Sequence, residues 1–197
     1  MSPRQDTSSF ARLVSLACHD LRTPLATVHG FARTLSRTGE LSEQPARWVE
    51  MIEAASTQMA ELLDELGLAA RIEAGRYDPT LLDVDTLDLA RHAAERLGED
   101  RVTVGGSGGT VHVDREVTRR AVSALVQCAL RHGGLDRVAV IAEEETIAVT
   151  PITEASAPVV LGEDLRDLGA AVAVRLVRAV GGEVSVEDET LRIRFHL

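Results

Sequence analysis

Apolar positions recur at helical spacing through the first 75 residues. From about Ser8 to Ser36, Leu13, Ala17, Leu21, Val28, Phe31 and Leu35 fall on one side of a helix stepped at about 100° per residue. The connection RTGELSEQP follows, and then Trp48, Ile52, Ala55, Met59, Leu62 and Leu66 recur every three or four positions, as in a packed helical seam. Ser42 is placed to cap this second helix, Pro45 is tolerated in its first turn, and Gly75 stops it after Ala74. Two helices of roughly 30 residues, ~45 Å each, joined by a short connection make an antiparallel hairpin. A lone hairpin cannot cover an apolar seam on both sides. Two copies in a four-helix bundle can, so a homodimer is expected from packing alone.

From residue 77 the period changes. LLDVD reads as a strand, Leu87 to Leu97 as a helix, and RVTVGGSGGTVHVD as two strands around a flexible glycine-rich hairpin turn. Arg115 to His132 is helical, and RVAVIAEEETIAVT is a strand pair. Residues 152–162 look irregular, Asp164 to Val180 is helical, and GEVSVED and LRIRFHL alternate as closing strands. The fold class is therefore α+β: a helical hairpin over residues 1–76 and an α/β sandwich over 77–197. GGSGG does not fit a phosphate cradle, because a strand rather than a helix follows it.

Composition narrows the partners. A net charge of −10 argues against nucleic acid, whose binding rests on basic side chains neutralising phosphates. No apolar run approaches a membrane span, and the start of the chain lacks the order of a signal peptide, so a cytoplasmic location is expected. Cys18 and Cys128 fit reduced thiols. All 21 basic residues are arginine, and neither lysine nor asparagine occurs, so chemistry needing either side chain is closed to this protein.

One stretch of the first helix carries candidate chemistry. His19 lies roughly opposite the apolar cluster, beside Arg12, Ser15, Thr23, Ala26 and Gly30. Thr23 is four positions on, so its hydroxyl shares the face of the imidazole. Ala26 and Gly30 keep the surface low, so another protein can approach. Pro24 removes the bond from its own nitrogen to the Asp20 carbonyl and is expected to bend the helix. Metal ligation is not supported here, because His29 is not on the helical line of His19. Cys18 points about 100° away from its neighbour His19, which rules out a nucleophile–base pair and places the thiol in or near the seam.

HDLRTPLATVHGFARTL, residues 19–35, resembles the phosphoacceptor motif of bacterial two-component sensor histidine kinases, and LAARIEAG, residues 68–75, resembles the end of their second dimerisation helix. The resemblance implies that His19 carries a phosphoryl group on a ring nitrogen and that Asp20 orients the imidazole. It further implies that Thr23 positions water for the reverse direction and that Pro24 sets the bend. Arg22, Ala26 and Gly30 would meet the receiver domain of a response regulator; an upstream histidine kinase is a further implied partner.

The second half is similar in layout to the ATP-binding domain of that family, with departures at its functional positions. VDREVTRRAVSALVQCALRHGG lines up with the helix that carries asparagines, and here Ala124 and Cys128 stand there. A thiol is a poor ligand for magnesium. Thr150 or Pro151 stands near the expected adenine-binding aspartate, and Asp167 and Gly169 line up with the last glycine motif, its first glycine replaced by an acid. The nucleotide lid is reduced to about 15 residues by this alignment. Arg131 and Arg175 are candidate phosphate contacts, but surface charge is the favoured explanation for both. The expectation is a histidine phosphotransfer protein without bound Mg-ATP or any other cofactor or metal. Two other readings stay open: an ATP-dependent kinase with a diverged nucleotide site, and a non-catalytic dimeric adaptor.

Overall fold

The computed structural model describes residues 3–38 and 41–196, with side chains from residue 11 onward except those of Arg12 and Thr38. The chain divides into two compact units, Met1–Arg76 and Tyr77–Leu197. Among the described residues no helix is long and apolar enough to cross a membrane.

The first unit is the hairpin of α1 (Pro3–Thr38) and α2 (Glu43–Glu73). Part of the connection between them, residues 39–40, lies outside the described residues. Ser42 occupies the N-cap position of α2, but its side chain makes no capping bond; only its carbonyl is used, accepting from the Ala46 N–H at 3.1 Å. At the other end Gly75 takes φ +62°, and the Gly75 and Arg76 N–H groups reach back to the carbonyls of Ile72 and Arg71. That paired closure satisfies carbonyls a helix end leaves open, and it needs a residue that accepts a left-handed backbone.

The interior of the hairpin differs from the expected seam. Among the described side chains of α1 the buried residues are Ala11, Cys18 and Ala32; in α2 they are Val49, Ser56, Leu68 and Ala70. Cys18 does lie inside, with Gly67 of α2 against it. Ala11, Cys18 and Ala32, with half-buried Leu25, repeat every seven residues, as do Val49, Ser56 and Ala70 with half-buried Leu63. The larger stripe expected as the seam is exposed within one chain: Leu13, Leu21, Val28, Phe31 and Leu35 on α1, and Trp48, Ile52, Met59, Leu62 and Leu66 on α2. Small residues let the two helices approach each other, so the bulky positions are left on a neighbouring face.

The second unit begins with β1 (Leu81–Asp85) and α3 (Thr86–Leu97), followed by β2 (Val102–Gly108), β3 (Thr110–Asp114) and α4 (Arg115–Gly133). It continues through β4 (Val138–Glu143), β5 (Thr146–Thr150), the single turn α5 (Ala157–Val160), α6 (Leu168–Ala179), β6 (Glu183–Glu187) and β7 (Thr190–Arg194). A five-stranded sheet runs in the order β2-β4-β5-β7-β6, with β2 and β4 parallel and the other neighbours antiparallel. Alternate residues of its strands, among them Val102, Val140, Ile147, Val149, Leu191 and Ile193, are buried. Helix α4 packs against both α3 and α6 and is buried along most of its length.

The glycine-rich segment is not a hairpin turn. β2 joins the large sheet beside β4, whereas β3 pairs with β1 in a separate two-stranded sheet. The β2–β4 register breaks between Gly106 and Gly108, and the chain crosses from one sheet to the other at Gly109. Gly106 has φ +98°, a Cβ there would run into the Ala142 carbonyl oxygen, and a Cβ on Gly109 would sit 2.5 Å from the Glu144 Cα. These glycines are required for close backbone approach rather than for flexibility. Thr86 fixes the same corner: its hydroxyl donates to the Glu144 carbonyl at 2.9 Å, and its N–H to that of Gly109 at 2.9 Å.

Gly106→Ala is therefore expected to destabilise the second unit by roughly 1–3 kcal/mol, whereas Gly134→Ala, whose added methyl meets open space, carries only its left-handed backbone penalty. Urea unfolding of the two variants measures the difference.

Candidate functional site

The hairpin presents His19 to solvent. Its side chain is 76% exposed and that of Asp20 68%, and His19 Nδ1 lies 3.1 Å from Asp20 Oδ1. An imidazole that gives its Nδ1 proton to a carboxylate keeps the lone pair of the neutral ring on Nε2, the nitrogen that must be free to act as a nucleophile. Helix periodicity separates three faces of α1: the small-residue interior, the exposed bulky stripe, and the face of His19.

Thr23, Pro24, Ala26 and Gly30 are exposed on this length of helix, and the space where a Gly30 side chain would begin is empty to 4 Å. The helix runs on through Pro24 without interruption. The carbonyl of Thr23 accepts from the Thr27 hydroxyl at 3.2 Å. Arg22, expected to meet a partner, instead donates to Asp64 Oδ1 at 2.7 Å and ties α1 to α2. The side chain of Arg12 lies outside the described residues. His29 is half-buried with Nδ1 3.1 Å from the Ser56 hydroxyl, which itself donates to the Glu53 carbonyl. It is a link in the hairpin, separate from His19.

In the second unit, two residues singled out separately in the sequence come together, with a third that sequence reasoning missed. Cys128 and His132 are one turn apart on the same face of α4. Asp167 caps α6: its Oδ1 accepts from the Ala170 N–H at 3.0 Å. Its other oxygen lies 3.1 Å from His132 Nε2 and 3.7 Å from Arg131 Nη1. Asp167 is 11% exposed and Cys128 fully buried. Burial first, and the Asp167 carboxylate second, push the Cys128 thiol from 9.0 up to about 12, against a smaller pull from Arg131 and Arg166. The thiol is therefore neutral near pH 7.

Of the remaining candidates Arg131 touches this cluster through Asp167, and the others lie elsewhere. The Thr150 hydroxyl faces the Glu189 carbonyl at 3.5 Å, at the end of β5. Gly169 lies in the first turn of α6, just after Asp167. Arg131 is drawn to Asp167, and Arg175 donates to the Ala171 carbonyl one turn back on its own helix at 2.8 Å. Ala124 is half-buried on α4, one turn before Cys128.

Residues 11–75 match the His Kinase A phospho-acceptor domain family. The sensor protein DivL of Caulobacter vibrioides is 33% identical over 99 residues, 50% of this chain and 13% of that protein. The probable sensor histidine kinase TcrY of Mycobacterium tuberculosis is 29% identical over 103 residues, 52% of this chain and 21% of that protein. The chain thus matches less than a quarter of the length of either relative. Among solved structures, full-length ShkA in complex with AMPPNP superposes with a TM-score of 0.70 at 20% identity, covering 93% of this chain and 45% of that one. At that identity the likeness concerns fold alone: a helical hairpin followed by an α/β domain of the kinase ATPase kind.

The Asp167 carboxylate serves the helix through one oxygen and His132 through the other. Asp167→Asn keeps a good cap and loses the charge, whereas Asp167→Ala loses both, so the alanine variant should be less stable than the asparagine one by about 1 kcal/mol in equilibrium urea unfolding.

Proposed function

We propose that this chain, whose residues 11–75 match the His Kinase A phospho-acceptor domain family, is a histidine phosphotransfer protein of a two-component phosphorelay, drawing no phosphate from ATP. The observation that carries this reading is His19, exposed, held at Nδ1 by Asp20, and flanked by the low surface of Ala26 and Gly30. Nε2 of His19 attacks the phosphorus of an aspartyl phosphate on a receiver domain. The N–P bond forms, the P–O bond to the carboxylate breaks, and that carboxylate leaves with the electron pair. The ring becomes cationic as it is phosphorylated, and Asp20 offsets the charge through the Nδ1 proton. The reverse sequence passes the group to a second receiver. Thr23, on the same face one turn on, is placed to hold water when hydrolysis replaces transfer.

The donor set of the second unit supports the part of the proposal that excludes Mg-ATP. Magnesium takes hard oxygen ligands, and Cys128 offers a buried neutral thiol at the position where the family uses an asparagine. An anionic phosphate is stabilised at a helix N-terminus, and at the start of α6 the Asp167 carboxylate already takes that place. The nearby arginines are engaged with Asp167 and a backbone carbonyl. Phosphoryl transfer from ATP depends on a positioned metal and on clamps around the phosphates, and these residues are not a set that provides them. The α/β unit then serves as a scaffold, and partner receivers supply and remove the phosphoryl group.

The bulky exposed stripe supports a homodimer. Phe31 is 69% exposed in a single chain, and Leu13, Leu21, Trp48 and Met59 extend the same surface along both helices. An apolar face of this length belongs against another surface. A second hairpin covers it as a four-helix bundle while His19 stays on the uncovered side.

The test mixes the full chain with a receiver domain carrying radiolabelled aspartyl phosphate. Label is expected on the wild-type protein, none on His19→Gln, and about a hundredfold slower transfer with Asp20→Asn. Label on His19→Gln at the wild-type rate, or self-labelling of the wild type from Mg-ATP, would overturn the reading.

A further inference from the structure

Cys128, His132 and Asp167 present a sulfur, an imidazole nitrogen and a carboxylate oxygen that all lie within 4.8 Å of one another. We propose that these three side chains bind one zinc ion, or a divalent ion of similar softness, and that the ion staples α4 to the start of α6. The inference stands apart from the chemistry of His19.

The ligand types and their origin argue for it. Zinc takes thiolate at about 2.3 Å, imidazole nitrogen at about 2.0–2.1 Å and carboxylate oxygen at about 2.0–2.2 Å, usually in a tetrahedron. The edges of such a tetrahedron are roughly 3.2–3.7 Å long. His132 Nε2 and Asp167 Oδ2 stand 3.1 Å apart, so one edge is already formed, and about an ångström of side-chain rotation brings in the sulfur. Cys128 and His132 project from one helical face at a four-residue spacing, so a rigid element fixes two ligands together. Asp167 comes from a second element. Its Oδ1 is held by the Ala170 N–H, which leaves Oδ2 aimed at His132. Three protein ligands leave a fourth position for water.

The surroundings favour this ion over magnesium. The site combines one soft, one intermediate and one hard ligand, the set zinc accepts and magnesium does not. The sulfur is buried and the other two side chains are mostly covered, which limits exchange with solvent. As sulfur binds, its proton leaves to solvent. The ion takes over the contact that His132 and Asp167 now make directly. It thereby bridges α4 and the start of α6.

Cobalt(II) titration of the metal-stripped full chain tests the proposal, since cobalt occupies zinc sites and reports thiolate ligation by a near-ultraviolet charge-transfer band. The expected result is one cobalt per chain, with that band present and lost on adding zinc. Cys128→Ser removes the band, His132→Ala lowers cobalt affinity at least tenfold, and Cys18→Ala changes neither. Circular dichroism of each variant confirms that it is folded. The wild-type titration decides the matter even where a variant unfolds: no saturable thiolate band overturns the site. A band lost with Cys18→Ala, or kept in folded Cys128→Ser, overturns the assignment as well. Transfer onto His19 is read in the same metal-stripped protein, so failure of one proposal leaves the other standing.

Discussion

The hairpin closes on small side chains, and the other features of the first unit follow from that. Ala11, Cys18 and Ala32 face Val49, Ser56 and Ala70 in heptad steps, so α1 and α2 approach closely while burying little apolar area. Such a pair is poorly stabilised alone. Hydrophobic burial is roughly proportional to area removed from water, and most of the large side chains of this unit are still wet in one chain. The same choice of residues divides α1 into an interior, an apolar exterior and a polar flank carrying His19. Placing small residues inside thus leaves a bulky apolar surface exposed within one chain, on a different side of α1 from His19.

The second unit solves a different problem. Its core is ordinary: alternating strands, a central helix α4 buried between two others, and glycines where one backbone must pass close to another. At one corner Cys128, His132 and Asp167 come together, and His132 links to Asp167 across 35 residues of sequence. Acid and imidazole satisfy each other there.

Much of this was legible in the chain. Period and punctuation located the helices and strands to within a few residues, including the stop at Gly75 and the helix α3, whose start moved by one residue from Leu87 to Thr86. The exposure of His19 followed from angular spacing. Periodicity could not say which surface a stripe meets. It grouped Leu13, Phe31 and Leu35 on one side of α1 and left part of that seam to a second copy, but it did not separate out the small residues Ala11, Cys18 and Ala32 that are buried within one chain. The glycine-rich segment read as a local turn because sheet membership is decided by partners far along the chain. The Arg22–Asp64 and His132–Asp167 contacts lay out of reach for the same reason: both join residues far apart in the chain that no local pattern announces. The one available signal for His132 was its spacing of four from Cys128 on a helix already singled out.

The central claim is that the bulky face of the hairpin is covered by a second copy while the His19 face is open. Hydroxyl-radical footprinting of the full chain across a dilution series measures both at once. The account predicts that Phe31, Trp48 and Met59 react slowly at micromolar concentration and faster on dilution, with His19 reactive throughout. Rapid oxidation of those three at every concentration, or protection of His19, would contradict it.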